Sequence, residues 1–350
     1  MSRSKLQPSS KTMVPVYVGL DYHENTVRVC VMDLEGRTLV NRNVVNHPKA
    51  VFDLVSVLGS TVRGVAIEAC CGAADFAAEL IELTEWPVRM AHAGAVSKLK
   101  KSRDKTDSSD VEVLADLIRV GYLPEVWLAD EQTRQLRRLV RHRYGVVERR
   151  KAAKLRVLSL LREERTHHPS AVRPWTDKWM QWVKLVPLGE ASRWVLDQEL
   201  EVIRIAEQDL KNVEEKMKVI TQDDAVVAKL QQKAGVGLVT AVVMRAVIGR
   251  FDRFRNGKQL SNYSGITPRN ASSGKRQADA GLIQSGNEIL RMVLIQLAKR
   301  LPRQDQYWKE FRAKMSVSKP ANVVSAAIAN RWLRRLHHEM VDQTSMVEAG

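Results

Sequence analysis

What most narrows the folding options is the order of patterned segments between residues 15 and 128. Three strand-like runs come first: VPVYVGLD, ending on Asp21; TVRVCVMD, where Val27, Val29 and Val31 alternate with polar neighbours; and TLVNRNVV, after a Glu35-Gly36 turn. They predict a meander. PKAVFDLVSVLG (48–59) then reads as a helix closing on Gly59, and VRGVAIEA as a short apolar strand with Glu68 at its end. A second helix over about 73–83 leads through Trp86 and Pro87 to a strand near 87–91. A third helix follows, in which Val111, Val113, Leu114, Leu117 and Ile118 recur at helical spacing. Strands followed by alternating helices and strands build an open α/β sheet.

This is the chain order of a ribonuclease-H-like α/β domain. In open α/β sheets, functional groups gather at the carboxyl ends of strands, where Asp21 and Glu68 fall. The stretch KSRDKTDSSDVEVLAD (101–116) adds Asp107 and Asp110, three apart and so on one face of the helix they begin. Taken singly, each acid has a plain structural reading. Asp107 and Asp110 can cap a helix and favour its dipole, Asp21 can form a turn, and Glu68 can end a strand in solvent. As a set at element boundaries, the four are expected to hold the divalent ions that activate a nucleophile and stabilise the leaving oxygen in phosphoryl transfer. Mg²⁺, or Mn²⁺ in its place, suits such oxygen donors. Asp104 and Asp116 read as solvated, and Cys70 and Cys71 as core packing.

Fifty-six Lys and Arg against 40 Asp and Glu give the 350-residue chain a formal charge of +16. An excess this large points to a polyanionic partner, nucleic acid above all. Three cysteines form neither a disulfide framework nor a CxxC pair, which fits a reducing cytoplasm. No apolar run approaches the roughly 20 residues that span a bilayer, so no membrane partner is expected. Residues 1–14 read as a disordered polar arm.

Beyond Trp127 the pattern turns helical. Residues 131–165 hold twelve Lys or Arg against four Glu and no proline, and predict a long basic helix. Arg137, Arg138, Arg141, Arg149 and Arg150 are its candidate contacts to a nucleic-acid backbone, with a solvated face as the plain alternative. An irregular tip with Trp175, Trp179 and Trp182 separates it from a second long helix over about 191–219, making an antiparallel hairpin suited to dimerisation or to lying along nucleic acid. His167 and His168 lack a third ligand at metal spacing and read as surface. In 226–250, Gly235-Val236-Gly237 between two apolar helical segments forms a helix-hairpin-helix pattern whose amides can meet a phosphate, or a simple helical turn. Residues 251–287 are the least regular stretch, with Arg269, Lys275 and Arg276 around Ser272 and Ser273. These serines can be phosphate ligands, or one can be a nucleophile assisted by the cations. Helices are expected near 287–300, 304–315 and 320–340.

In order along nearly the whole chain, GLD at Asp21, IEA at Glu68, KTDSSD at Asp107 and Asp110, AGVG, YSGITPRNASSG and SGNEILR resemble the transposases of the insertion sequence 110 family, including its insertion sequence 1111 branch. The resemblance implies a DEDD-type, RuvC-like ribonuclease-H domain (15–128), a coiled-coil linker (129–222) and a mainly α C-terminal transposase domain (223–345). It implies DNA recombinases guided by a structured bridge RNA and acting as dimers or tetramers. In these a C-terminal serine forms a covalent phosphoserine while the acidic site, Asp21, Glu68, Asp107 and Asp110, binds Mg²⁺. The family serine precedes a glycine, which selects Ser273. Here NASSG stands where an aromatic and an acid are expected before the serine, so Ser272 competes, whereas Ser285 reads as a helix N-cap. Two other readings remain open: a metal-dependent junction-resolving nuclease with no serine nucleophile, and a non-catalytic RNA- or DNA-binding architectural protein.

Overall fold

The computed structural model describes residues 14–99, 107–270, 279–282 and 286–341. The expected N-terminal arm, Asp104, Ser272, Ser273, Lys275, Arg276 and Ser285 lie outside them, and Asp107 and Arg269 are described by backbone alone. The chain divides into two compact units, residues 1–131 and 132–350.

The first unit is built on a six-stranded sheet. Its elements are β1 (Val14–Tyr22), β2 (Thr26–Met32), β3 (Thr38–Val45), α1 (Pro48–Ser56), β4 (Ser60–Glu68), α2 (Ala73–Thr84), β5 (Val88–Ala91), α3 (Ala93–Leu99), α4 (Asp107–Arg119) and β6 (Glu125–Val126). In space the strands run β3-β2-β1-β4-β5-β6. The expected meander forms the antiparallel side, β4 and β5 add parallel to β1, and β6 closes the far edge antiparallel. The short α3 and β6 carry too little pattern to be read from sequence.

Period-two alternation sorts the sheet into two faces. Val16, Val18 and Leu20 of β1, with Val65 and Ile67 of β4, pack with Val51, Val55, Phe76 and Leu80 from α1 and α2. The opposite face takes α4, where Leu114 and Ile118 meet Ala66 and Val111 and Ala115 meet Cys30 and Met32. Gly19 sets how closely that helix lies. A Cβ there would run into the Val111 carbonyl oxygen and come within 2.8 Å of the Ala115 nitrogen.

The second unit starts with α5 (Glu131–Glu163), which returns through α6 (Asp177–Leu185) as α7 (Glu190–Ile220). Ion pairs link Arg143 to Glu214, Arg149 to Asp209 and Arg156 to Glu199, so partners fall in number on α7 as they rise on α5. The two helices are therefore antiparallel, as expected. Exposed pairs contribute little energy, and the seam is apolar, with Val146 against Ala206 and Leu210, and Val157 and Leu161 in one cluster with Leu196 and Ile203. The tip differs from the irregular loop expected there. Thr176 caps α6 by accepting from the Trp179 amide, and Trp179, fully buried, packs against Trp175 and Trp182.

The rest of this unit is mostly helical: α8 (Ala225–Gln231), α9 (Leu238–Ile248), α10 (Gly257–Ser264), the ribbon β7 (Pro268–Asn270) and β8 (Asp279–Leu282), then α11 (Glu288–Arg300), α12 (Gln306–Ser316) and α13 (Ala321–Val341). Its core gathers Leu230, Met244, Ile248, Leu260, Leu290, Leu294 and Leu333. The stretch expected to be irregular is thus partly ordered by Asn256, whose side chain caps α10, and by Gly265, which ends it at φ +70°. No helix among the described residues is long and apolar enough to cross a membrane.

Candidate acidic site and nucleic-acid interface

Sheet register brings the first two acids together. Leu20 of β1 pairs with Ile67 of β4 in parallel, so Asp21 and Glu68 stand side by side one step further, about 5 Å of strand spacing apart. Alternation puts both on the face of Gly19 and Ala66, where α4 packs. The direction of α4 follows from its contacts. Val111 lies on Gly19, whereas Ile118, two turns later, lies on Gly64, which pairs with Tyr17 further back along the strands. The helix N-terminus therefore points toward the carboxyl ends of β1 and β4. Asp110 immediately precedes Val111, and Asp107 opens the helix one turn earlier, so both acids of KTDSSD stand at the end of the sheet that carries Asp21 and Glu68.

Polar tethers hold α4 in this place. Asn41 of β3 donates to Glu112 at 2.7 Å and accepts from the Arg28 guanidinium at 2.6 Å. Arg28 is itself the cross-strand partner of Asp21. At the other end of α4, Arg119 donates to the Leu34 carbonyl at 3.0 Å.

One neighbour of the acids was not singled out from sequence, and another was expected elsewhere. The His23 Nε2 lies 3.2 Å from Asp21 Oδ2, and the only sequence signal is a histidine two residues past a strand-end aspartate. Cys70, expected in the core, is exposed, as is Cys71. The loop between Glu68 and α2 turns outward at Gly72 (φ +90°), where a Cβ would meet the Tyr22 ring. The Cys70 thiol is pushed above its ordinary pKa, first by burial of the sulfur and then by the Asp21, Glu68 and Cys71 charges, which places it beside the acids.

The donor set is all oxygen, which suits a hard divalent cation. Mg²⁺ binds through one or two carboxylates with waters and substrate phosphates completing its shell, and so does not require a preformed cage. Among the described residues no three His, Cys, Asp or Glu side chains are close enough to hold a metal ion, a set to which the Asp107 side chain does not belong.

In the second unit, Gly235 (φ +76°) and Gly237 form the turn between α8 and α9, and Gly237 caps α9 without a side-chain hydrogen bond. The first amides of α9 open into a cleft of about 670 Å³ lined also by Lys233 and Arg300, and Arg300 donates to the Gly235 carbonyl at 3.3 Å. On α5 the candidate arginines divide. Arg137 donates to the Ala246 carbonyl at 2.8 Å, Arg149 and Arg150 face Asp209 and Glu207 of α7, and Arg138, Arg141 and Arg149 are exposed. β7 and β8, which flank the serines in sequence, pair antiparallel, with Asn270 opposite Asp279. Just outside this ribbon Gly265 and Gly286 cross, and neither has room for a Cβ against the other's backbone. Asn287, not the expected Ser285, caps α11 by accepting from the Leu290 amide.

An α/β sheet with acids at its strand ends, followed by a helical unit, is the organisation of a DEDD-type transposase, and residues 18–165 match the DEDD transposases of IS110 elements. Residues 227–313 match the family described as "Transposase IS116/IS110/IS902 family". The chain belongs to this IS110/IS116/IS902 family of transposases. It is 29% identical to the putative transposase y4qE of Sinorhizobium fredii over 56% of this chain and 48% of the relative, so the match spans about half of that protein's length. It is also 29% identical to a probable family 20 transposase of Pseudomonas aeruginosa, over 78% of this chain and 82% of the relative. With the transposase for insertion sequence element IS1111A of Coxiella burnetii it shares 23% identity over 82% of this chain and 78% of the relative.

Proposed function

We propose that this chain is a site-specific DNA recombinase of its insertion element, guided by a structured RNA and acting as a dimer or tetramer. The observation that carries the reading is the convergence of Asp21, Glu68 and the N-terminus of α4, with Asp107 and Asp110, at one end of a ribonuclease-H-like sheet, joined in one chain to a basic helical unit. In domain terms, 15–128 is the RuvC-like part, 129–222 a coiled-coil linker, and 223–345 the transposase part with its helix-hairpin-helix and serine loop.

Ser273 is assigned as nucleophile. Its Oγ attacks the scissile phosphorus, the bond to the leaving sugar oxygen breaks, and the serine proton ends on that oxygen, leaving a phosphoserine for the later joining step. Arg269, Lys275 and Arg276 offset phosphate charge. Asp21, Glu68, Asp107 and Asp110 would hold a Mg²⁺ or Mn²⁺ ion, which would supply further charge neutralisation at the phosphate. The glycine turn at Gly235 and Gly237 and the exposed Arg138 and Arg141 hold nucleic-acid backbone without reading sequence.

The test is a denaturing gel of protein incubated with DNA and copurified RNA. Wild type should yield a covalent adduct and Ser273→Ala none; an adduct lost in Ser272→Ala alone moves the role one residue. A second reading, a metal-dependent nuclease using water, gains from His23 lying within hydrogen-bond distance of Asp21. It predicts metal-dependent cutting with no trapped adduct in wild type. Sequencing RNA that copurifies with the protein tests the guide, and its absence from active preparations would remove RNA from the mechanism.

A further inference from the structure

A second cavity lies in the helical unit. It has a volume of about 300 Å³, at the lower end of the range of small-molecule pockets, roughly 300–1,000 Å³. Its apolar wall is made by Leu301, Trp308, Trp332 and Leu336, all at least nine-tenths buried. Tyr307, 39% exposed, stands at its edge, and the Arg335 guanidinium lies 4.6 Å from the centre of the Tyr307 ring and 5.9 Å from that of Trp308. Arg331 extends the stack over Tyr307 and Phe311. Carboxylates also face the cavity: Asp305, which caps α12, and Glu339, which pairs with Lys233 at 2.6 Å.

An aromatic wall with guanidinium planes alongside and a few hydrogen-bonding groups within reach is the chemistry that receives a nucleobase. The flat ring stacks, its amino and imino edges meet carboxylates, and its phosphate meets Arg or Lys. Position supports the same occupant. Lys233 lines both this cavity and the cleft over the Gly235-Val236-Gly237 turn, so a strand whose phosphates lie on that turn passes directly by the mouth. A paired base cannot enter a pocket of this size without leaving its duplex. We propose that this pocket binds an unpaired base of a DNA strand, extruded or single-stranded, whose backbone is held by the adjacent glycine turn. DNA is the strand that a transposase parts and rejoins, and parting exposes such bases. The proposal depends on neither the guide RNA nor the serine, and failure of those assignments leaves it standing.

The experiment uses the full-length protein and single-stranded DNA containing 2-aminopurine, whose fluorescence falls on stacking. Wild type should quench it, and Tyr307→Ala should bind the single strand about tenfold more weakly, the scale of one lost base–aromatic stack. Affinity of Tyr307→Ala for duplex of the same sequence should be unchanged, which also reports that the variant is folded, and Tyr307→Phe should keep wild-type binding. Unquenched fluorescence in wild type, an equal loss on duplex, or tighter binding of RNA of the same sequence than of the DNA would each overturn the proposal.

Discussion

The acidic site and the ribbon that flanks the serines in sequence both adjoin glycines that let two backbones touch, yet their mounts differ in kind. At Gly19 a helix lies on a strand inside a core that includes Cys30, Met32, Val111 and Ala115, and the strand beside it is fixed by parallel register. At Gly265 and Gly286 two chain segments cross at the foot of a short ribbon, joined by the Asn287 amide, which donates to the Tyr263 carbonyl. The first mount cannot shift without disturbing a sheet and a core. The second is a clasp between two turns at helix ends, beside the buried Ile266 and Leu290. The same residue type therefore serves a helix-on-sheet contact in one unit and a turn-on-turn contact in the other.

The sharpest way to break this contrast is to fill the two crossings. Gly19→Val should cost about 3 kcal/mol or more, because backbone atoms of α4 cannot step aside as a flexible side chain can. Thermal unfolding should show it directly, and metal-dependent cutting should be lost with it. Gly286→Ala should cost less, about 1–2 kcal/mol, while abolishing the adduct assigned to Ser273. Equal losses of stability in the two variants would mean that the clasp is as central as the helix–strand contact.

Between these lies a change that leaves the fold intact. Asp107→Asn or Glu68→Gln keeps the shape of the site and removes a negative charge. Strand cutting in Mg²⁺ should fall at least about a hundredfold with little change in unfolding temperature, as expected when several kcal/mol of transition-state charge stabilisation is lost. An Asp107→Asn protein with wild-type strand transfer would reduce that residue to a helix cap.

Much of this contrast is legible in the sequence, unevenly. Alternating valines and element order mark the sheet, so Asp21 and Glu68 can be placed at strand ends before any coordinates. KTDSSD followed by helical periodicity marks α4. What pattern does not reveal is the direction in which α4 crosses the sheet, since that depends on Gly19 and Gly64, two small residues with no periodic signature. Cys70 and Cys71 mislead because composition favours burying cysteine, while the turn at Gly72 carries them outward. The tip helix α6 escapes notice because prolines bracket it, and its stability comes from tryptophans packing on one another rather than from helix propensity. The cavity beside Tyr307 is unreadable for a further reason: it is assembled from residues over a hundred positions apart.

A smaller effect tests the tethers of α4. Asn41→Leu removes the acceptor of Arg28 and the donor to Glu112 while leaving both charges in place. Stability should drop by about 1–2 kcal/mol, the scale of hydrogen bonds to charged groups. Cutting should fall with it if the tether aims Asp107 and Asp110. Unchanged cutting at reduced stability would assign the aim to Gly19 alone.

The smallest effect concerns thiols and separates the buried mount from its exposed surroundings. Cys30 packs fully buried against Val111 and Ala115, and burial, with Glu112 nearby, pushes its pKa up to about 11. A thiol whose pKa is raised by folding keeps its proton longer in the folded state than in the unfolded one. Its contribution to stability is therefore fully present below the ordinary thiol pKa and is lost as pH rises from there through about 11. In native protein a thiol reagent should accordingly modify Cys70 and Cys71, which are exposed, and leave Cys30 untouched until denaturant is added. Loosening the mount should change that result. In Gly19→Val, Cys30 should react without denaturant, because the helix that covers it no longer seats on the strand. If Cys30 stays protected in that variant while cutting is lost, then Gly19 acts through the acids at the helix N-terminus and not through the core beneath it.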